Sequence, residues 1–437
     1  SGGTRSASEM ADVIEGISYE TASDAPTGGL PGGNIRDFTL TSLSDTGGTD
    51  NGGRDTATLA ITASVDILPV NDPPALSGSD ISLDHVEGDA PSVLFPDVSV
   101  DAIEPQSAIR SVTLEASGLQ DADAERFVID GAELSLVDGA TATTDSGYTL
   151  SATSLGAGSI EIRIEGGNLD APAFEAILSG AGYRHASDDP VEGIRDFRIV
   201  SITDAGMAPD FSDKTTDVDV SASVTVLPVN DGLDVTASSP PVDFLEGGPA
   251  IGVFSAPSVS TIEVAEKISA FDIRVSGASD GPDEGLLLDG TEISLSPGTG
   301  GTTIGGLSYS VSGTGSDLTV SVRGATLSES RFSAVLEELS YRNLSTNPSP
   351  GDRGVTVSLV SDTGGTSNGG SDTTIPAIET TVSIIDVNRA PSLSATATDP
   401  VYVEDGSPAA PFSNAAFDSG DGPQSVSALT FSVLNAV

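Results

Sequence analysis

Apolar and polar positions alternate along most of the chain in short runs. Ile160, Ile162 and Ile164 enclose Glu161 and Arg163, and the same rhythm recurs at Leu318–Val322, Val355–Leu359 and Val218–Val220. A period of two puts branched side chains on one face of a strand and polar ones on the other, as a half-buried antiparallel sheet requires. Turn-forming Asp-Gly and Gly-Gly pairs punctuate these runs at Asp130-Gly131, Asp289-Gly290, Gly300-Gly301 and Gly305-Gly306. Many short strands with such turns predict an all-β chain of sandwich domains. One helical interruption stands out, with apolar residues at i, i+3 and i+4 in Phe174–Leu178 and Phe332–Leu336, and Met10–Ile14 in the same place of an earlier copy. It predicts one or two helical turns laid over a sheet edge or a sandwich end.

The pattern is repeated on a larger scale. A tyrosine (Tyr19, Tyr183, Tyr341), an arginine (Arg36, Arg195, Arg353), an Asp-x-Gly aspartate (Asp45, Asp204, Asp362) and a Val-Asn (Asn71, Asn230, Asn388) recur in that order. The asparagines are 159 and 158 residues apart, and each follows its aspartate by 26. Such periodicity predicts a tandem array. It divides the chain into the C-terminal part of a repeat (1–72), complete repeats at 73–231 and 232–388, and the N-terminal part of another (389–437), as in a window on a longer protein. Prolines stiffen the junctions at Pro69–Pro74, Pro228–Gly232 and Asp386–Pro391. These read as short rigid joints between units stacked end to end. The recurring tyrosine reads as core.

A chain of 437 residues is too long for one core, which agrees with the array. Its 65 acids against 17 bases leave a formal charge of −48. That field repels nucleic acid and anionic membranes and attracts cations; it equally serves solubility in a salty medium. Cysteine is absent, which excludes disulfides and thiolate metal sites. No apolar run approaches the ~20 residues of a membrane span. A hydrophobic content of 37% in alternating runs argues against disorder. Enzymatic chemistry finds little footing: His85 and His185 are the only histidines, both expected at the surface, and no nucleophile-elbow or P-loop motif occurs. Carboxylate pairs could hydrolyse glycosides in principle, but the acids sit at turns and Trp is absent.

The candidate chemistry lies at the junctions. After each comes a glutamate in Val86-Glu87-Gly88, Leu245-Glu246-Gly247 and Val403-Glu404-Asp405. Fourteen residues further stand Asp101, Ser260 and Asp418, and seventeen further Glu104, Glu263 and Asp421. The linkers add Asp72, Asp231 and Asp386 beside Asn71, Asn230 and Asn388. The Asp-x-Gly loop of the preceding unit is expected at the same end. Carboxylates and amides drawn from both sides of a joint suit Ca²⁺, which takes 6–8 oxygens, and without an ion they repel one another. The alternative is that these residues cap turns and the acids are solvated. Two weaker clusters are Asp121, Asp123 and Glu125 with Asp280, Asp283 and Glu284, read as a solvated turn, and the Gly-rich loops 45–55 and 362–372, which could hold a second ion.

On these residues the chain resembles cadherin repeats. Asp362-Thr363-Gly364, a β-rich run and Asp386-Val387-Asn388-Arg389-Ala390-Pro391 are similar to the end of such a repeat. The Pro69–Pro74 form, and Tyr341-Arg342-Asn343 followed by Pro350–Arg353, are similar to cadherin-like repeats of giant bacterial surface adhesins of the type I secreted, RTX-adhesin kind. The resemblance implies tandem cadherin-like, immunoglobulin-like sandwiches with Ca²⁺ between successive domains. It would use the early glutamate, the Asp-x-Gly aspartate and the linker Asp or Asn: at the first junction Asp45, Asn71, Asp72 and Glu87, with Asp101 and Glu104. By the same rule the second takes Asp204, Asn230, Asp231, Glu246 and Glu263, and the third Asp362, Asp386, Asn388, Glu404, Asp418 and Asp421. Departures are Pro69 and Pro228 in place of the first linker aspartate, Arg389 in place of the second, and Ser260. The function implied is a non-enzymatic, calcium-stiffened stalk at the bacterial cell surface, serving adhesion and biofilm formation. The contacts would be with neighbouring repeats. Self-assembly into a filament or surface layer, or binding of surface glycans or other copies, are the rival readings.

Overall fold

The structure is a computed structural model that describes residues 3–27, 34–104, 107–121, 123–206, 212–421 and 424–434. The chain forms two compact units, Ser1–Pro228 and Val229–Val437, divided inside the second proline-marked junction.

The first unit opens with the helix Ala7–Glu15 and a hairpin of Ile35–Ser44 with Thr56–Asp66. A sandwich follows. Its large sheet runs Thr141–Thr143, Thr149–Gly156, Ser159–Asp170, Ala108–Ser117, Gly193–Asp204, Thr215–Leu227 and Ile81–Val86 in spatial order. The small sheet runs Ser92–Val93, Gly182–His185, Glu125–Ile129 and Ala132–Ser135. Both contribute to one core, with Val112, Leu114, Ile162 and Phe197 from the large sheet meeting Phe127, Leu134 and Tyr183 from the small one. The second unit repeats this plan from the strand Asp234–Ser238 to the strand Ile378–Ile385 with its own core around Phe244, Phe271, Phe332 and Tyr341, and ends in a pair of strands, Ser392–Ala397 and Phe412–Asp418.

The alternation seen in the sequence becomes the inward faces: Ile160, Ile162 and Ile164, and Leu318, Val320 and Val322, are buried. At Val355–Leu359 it breaks. The pairing shifts register between Asp272/Leu359 and Ile273/Val357, so an extra residue at Ser358 rotates the strand and Val360 points inward after Val357. The helical turns form where expected. Ala171–Leu178 is capped by Asp170 with Pro172 in its first turn, and Glu329–Glu337 is capped by Ser328. Their apolar faces bury Phe174 and Leu178, and Phe332, Val335 and Leu336.

One pairing decides where the junction residues lie. In an otherwise antiparallel sheet the first strand that each repeat gives to its large sheet runs parallel to the last: Ile81–Val86 against Ala222–Leu227, and Val242–Leu245 against Val382–Ile385. Both strands therefore begin at the entry end of the repeat and finish at its exit.

Candidate cation joints at the repeat ends

At the entry end of each complete repeat the linker asparagine folds onto the Asp-x-Gly aspartate of that same repeat. In the first unit Asn71 Nδ2 donates to Asp204 Oδ1 at 2.9 Å and to the Ser212 carbonyl at 2.9 Å. The Asp72 amide donates to Glu104 Oε1 at 3.3 Å, and Ser107 Oγ donates to Asp204 Oδ2 at 3.2 Å. The second unit builds the same seat. Asn230 Nδ2 donates to Asp362 Oδ1 (3.1 Å), the Gly365 carbonyl (3.0 Å) and the Ser371 carbonyl (2.8 Å), and the Asp231 amide donates to Glu263 Oε1 (2.9 Å). Asp204 and Asp362 are buried, as are Asn71 and Glu104. Burial raises the Glu104 carboxyl above its ordinary value against the opposing pull of the Asp72 amide, with smaller help from the charges of Asp72 and Asp204; burial raises Asp362 as well.

At the exit end stands the early glutamate. The Glu87 amide donates to the Leu227 carbonyl at 3.0 Å and the Glu246 amide to the Ile385 carbonyl at 2.9 Å, each one step past the parallel pairing. Glu246 is thereby brought to the linker that follows its own repeat. Its Oε2 accepts the Val387 amide (3.0 Å), its Oε1 meets Arg389 Nη2 (2.5 Å), and its carboxylate oxygens lie within 4.8 Å of those of Asp386 and Asp421.

The groupings implied by the resemblance are thus corrected by one repeat. Asp45 was expected to join Asn71, and Asp204 to join Asn230; Asn71 binds Asp204 and Asn230 binds Asp362 instead. Glu87 was expected beside Asn71 and Asp72, and Glu246 beside Asn230 and Asp231, yet both glutamates mark the opposite end of their sandwich. The reason is length. The strand Thr215–Leu227 between Asp204 and Asn230 has 13 residues, and at about 3.3 Å per residue it carries the chain roughly 40 Å away. Asp45 is exposed and accepts the Gly47 amide at 2.9 Å. Glu404 lies exposed in a turn closed by Gly406 N to the Val403 carbonyl (2.9 Å), the same turn that follows Glu246.

Asp101, Ser260 and Asp418 share a local task. Their side chains accept the amide two residues on, from Ile103 (2.9 Å), Ile262 (3.2 Å) and Gly420 (3.0 Å), each in the left-handed region. This is a side-chain-closed turn, in which Ser serves as well as Asp. Three residues on, Glu104, Glu263 and Asp421 each accept the amide of the residue after the linker asparagine. The sequence argument missed Glu266, which meets Asn230 Oδ1 in the space a methyl group on Gly364 would fill. It escaped notice because its counterparts are Ser107 and Gln424, which break the acidic pattern.

The recurring tyrosine and arginine do other work. Arg195 is buried with Nε 3.1 Å from Glu125 Oε1 and Nη2 3.4 Å from Asp121, and Arg353 repeats this with Glu284 and Asp280 at 2.8 and 3.3 Å. The turn expected to be solvated is therefore a buried ion-pair network. Glu125 and Glu284 also accept two amides each, which fixes the turn over the guanidinium. The phenols of Tyr183 and Tyr341 are pushed up by burial and by the neighbouring glutamate. His85 and His185, expected at the surface, are buried here: His85 packs edge-on against Tyr183 as Phe244 does against Tyr341, and His185 Nε2 lies 3.1 Å from Asp121. Asp121, Glu125 and His185 have donor atoms close enough for a metal, but Arg195 already pairs with both carboxylates, and Asn343 replaces His185 in the next repeat. Asn343, which opens the glycosylation sequon Asn343-Leu344-Ser345, is itself buried.

The entry seats fit a hard cation better. Asn230 Oδ1, Asp362 Oδ2 and Glu263 Oε2 are buried acceptors with no hydrogen-bond donor among the described residues, as is Glu104 Oε2 in the first unit. Leaving such an acceptor unsatisfied costs about 1–3 kcal/mol, more for a charge, so the seat favours a positive group supplied from outside. All donors are oxygen, the preference of Ca²⁺ rather than of softer metals.

No protein-family model and no curated protein matches the chain. Among solved structures it is similar to mouse protocadherin-24 EC1-3, at 12% identity and a TM-score of 0.24, with 80% of each chain covered. It is also similar to Drosophila N-cadherin EC1-4, at 12% identity and a TM-score of 0.20, with 84% of this chain and 63% of that one covered. These neighbours are cadherin ectodomain repeats; at such scores they carry no functional argument, and the all-β fold rests on the strands and cores described above.

Proposed function

We propose that the chain is a calcium-braced segment of an extracellular adhesin stalk on the bacterial cell surface, built of cadherin-like repeats and free of enzymatic activity. The observation that carries this reading is the entry seat, where Asn230 and Asp362, bonded to each other, and Glu263, bonded to the next linker amide, keep buried oxygens with no hydrogen-bond donor among the described residues. Ca²⁺ there would be held by those three residues with Glu266, and at the first joint by Asn71, Asp72, Glu104 and Asp204. The ion supplies positive charge and up to eight coordination positions. The protein's own residues hold the linker backbone on the domain, through the Asp72 and Asp231 amides. A stalk needs such joints because short proline-stiffened linkers transmit direction only when their ends are fixed.

The test compares thermal unfolding, small-angle scattering and calorimetric Ca²⁺ titration of the 437-residue chain in Ca²⁺ and in EGTA. Extracellular modules bind Ca²⁺ at about 10⁻⁴–10⁻³ M, so about 10 mM ion would add roughly 1.4–2.7 kcal/mol per site. Identical melts and scattering curves with no heat of binding would end the calcium reading.

A further inference from the structure

The third joint differs from the other two in one residue after the linker asparagine. Asn71 is followed by Asp72 and Asn230 by Asp231, but Asn388 is followed by Arg389. The change replaces a negative group with a positive one, and the structure shows what the positive group does. Arg389 Nη2 sits 2.5 Å from Glu246 Oε1, whose side chain is 1% exposed, while the Arg389 amide donates to Asp421 Oδ2 at 2.5 Å. A second substitution acts in the same direction. The place of Glu266 is taken by Gln424, whose Nε2 donates to Asn388 Oδ1 at 3.0 Å and reaches Asp421 Oδ2 at 3.5 Å. In the second joint the equivalent amide oxygen, Asn230 Oδ1, has no donor among the described residues.

From these contacts we infer that the residue after the linker asparagine selects the kind of joint. An aspartate makes a joint that recruits a cation. Arg389, helped by Gln424, makes one that clasps itself, its guanidinium standing where the ion's charge would be needed. A guanidinium suits this role, since it is charged at all relevant pH and presents several donors in a fixed plane. Glu246, Asp386 and Asp421 lie close enough together to hold a metal, and Glu246 Oε1 and Asp421 Oδ1 have no hydrogen-bond donor among the described residues, but the arginine already meets the charge of the buried Glu246. The chain then carries joints of two kinds, so loss of calcium would loosen it at chosen places rather than along its whole length. This inference rests on the calcium reading for the acidic joints, and not for Arg389 itself.

Hydrogen–deuterium exchange of the whole chain, read on peptides covering 69–74, 228–232 and 386–391, tests it in Ca²⁺ and in EGTA. Peptides 69–74 and 228–232 are expected to gain protection with Ca²⁺, and 386–391 to be equally protected in both. Arg389→Gln should speed exchange at 386–391 on the order of tenfold in either condition, the effect of losing a close ion pair to a buried carboxylate. Arg389→Asp should make protection at 386–391 calcium-dependent. The inference is overturned if wild-type 386–391 gains protection with Ca²⁺ as 228–232 does, or if Arg389→Gln exchanges like wild type. Should neither 69–74 nor 228–232 respond to Ca²⁺, the calcium reading fails, while the arginine clasp stands or falls on Arg389→Gln alone.

Discussion

Removing Arg353 should unfold one repeat selectively. Its side chain is 2% exposed and that of Glu284 is 0% exposed, with Nη2 to Oε1 at 2.8 Å. Arg353→Met keeps most of the aliphatic volume but leaves a fully buried carboxylate without its counter-charge. Breaking a buried pair in this way costs about 3–5 kcal/mol. For a domain of this size each kcal/mol lowers Tm by about 2–4 °C, so the repeat at 232–388 should melt roughly 6–20 °C lower. The repeat at 73–231, with its own Arg195–Glu125 pair, should be unmoved. Calorimetry would resolve the two transitions, and exchange at 284–288 against 125–129 would assign them. Arg353→Met with Glu284→Gln should recover about half the loss or more, because the glutamine still accepts the Ser279 and Asp280 amides while the uncompensated charge is gone. The loss should be alike in Ca²⁺ and EGTA. A single variant that melts within about 2 °C of wild type would refute the claim that the recurring arginine is a structural clamp. A loss seen only in calcium would instead make it part of the joint.

Other perturbations address the joints and the two histidines. Gly364→Ala puts a methyl group against Asn230 Oδ1 and Glu266 Oε1 and should abolish calcium-dependent protection of 228–232 while leaving the core transition in EGTA within about 1 kcal/mol; an unchanged calcium response would remove Gly364 from the site. Burial, then His185, depresses the protonation of His85, so the folded repeat keeps it neutral while the unfolded chain takes up a proton near pH 6.5. Stability present above that pH should fall as the pH drops from there toward the folded value, and His85→Phe, which copies Phe244, should flatten this slope in the repeat at 73–231; a slope unchanged in the variant would clear His85. Glu104 and Asp362 shift the other way, their folded values raised. In EGTA they favour the folded state in acid and lose that contribution as the pH rises through their folded values, so protons and Ca²⁺ should compete, with calorimetric Ca²⁺ affinity weakening as the pH is lowered toward 5.

Much of the fold was legible because it rests on local periodicity. Ile160–Ile164 and Leu318–Val322 alternate with a period of two, Phe174–Leu178 follows a helical one, and each pattern depends on its own few residues. The bulge at Ser358 was invisible, since it answers to the partner strand and not to the residues beside it. The buried ion pairs were hidden for a similar reason. Asp121 and Glu125 read as a solvated turn until Arg195, 70 residues away, is folded over them. The histidines misled because their rarity suggested tolerance at a surface, whereas they replace Phe244 and Asn343 in a core already specified by Tyr183 and Tyr341.

The candidate joint shows the same divide more sharply. Its residues were recognisable from recurrence alone, but recurrence at a fixed interval is blind to which copy a residue meets. The Asp-x-Gly loop and the asparagine that recurs 26 residues after it read as parts of one joint. An extended strand reverses that inference, since residues separated by a strand are held as far apart as the sandwich is long. The parallel pairing of the large sheet's first and last strands in chain order then sends Glu87 and Glu246 to the exit, and the hairpin before the last strand returns Asp204 and Asp362 to the entry. Each repeat is thus polar in a functional sense. It receives the incoming linker with an asparagine–aspartate seat, and in the second unit the buried Glu246 holds the outgoing one. One consequence follows for any exchange of parts between repeats. A change at Asp362 should act on the linker at 228–232, more than 130 residues earlier in the chain, and leave the linker at 386–391, only about two dozen residues later, to Arg389 and Glu246.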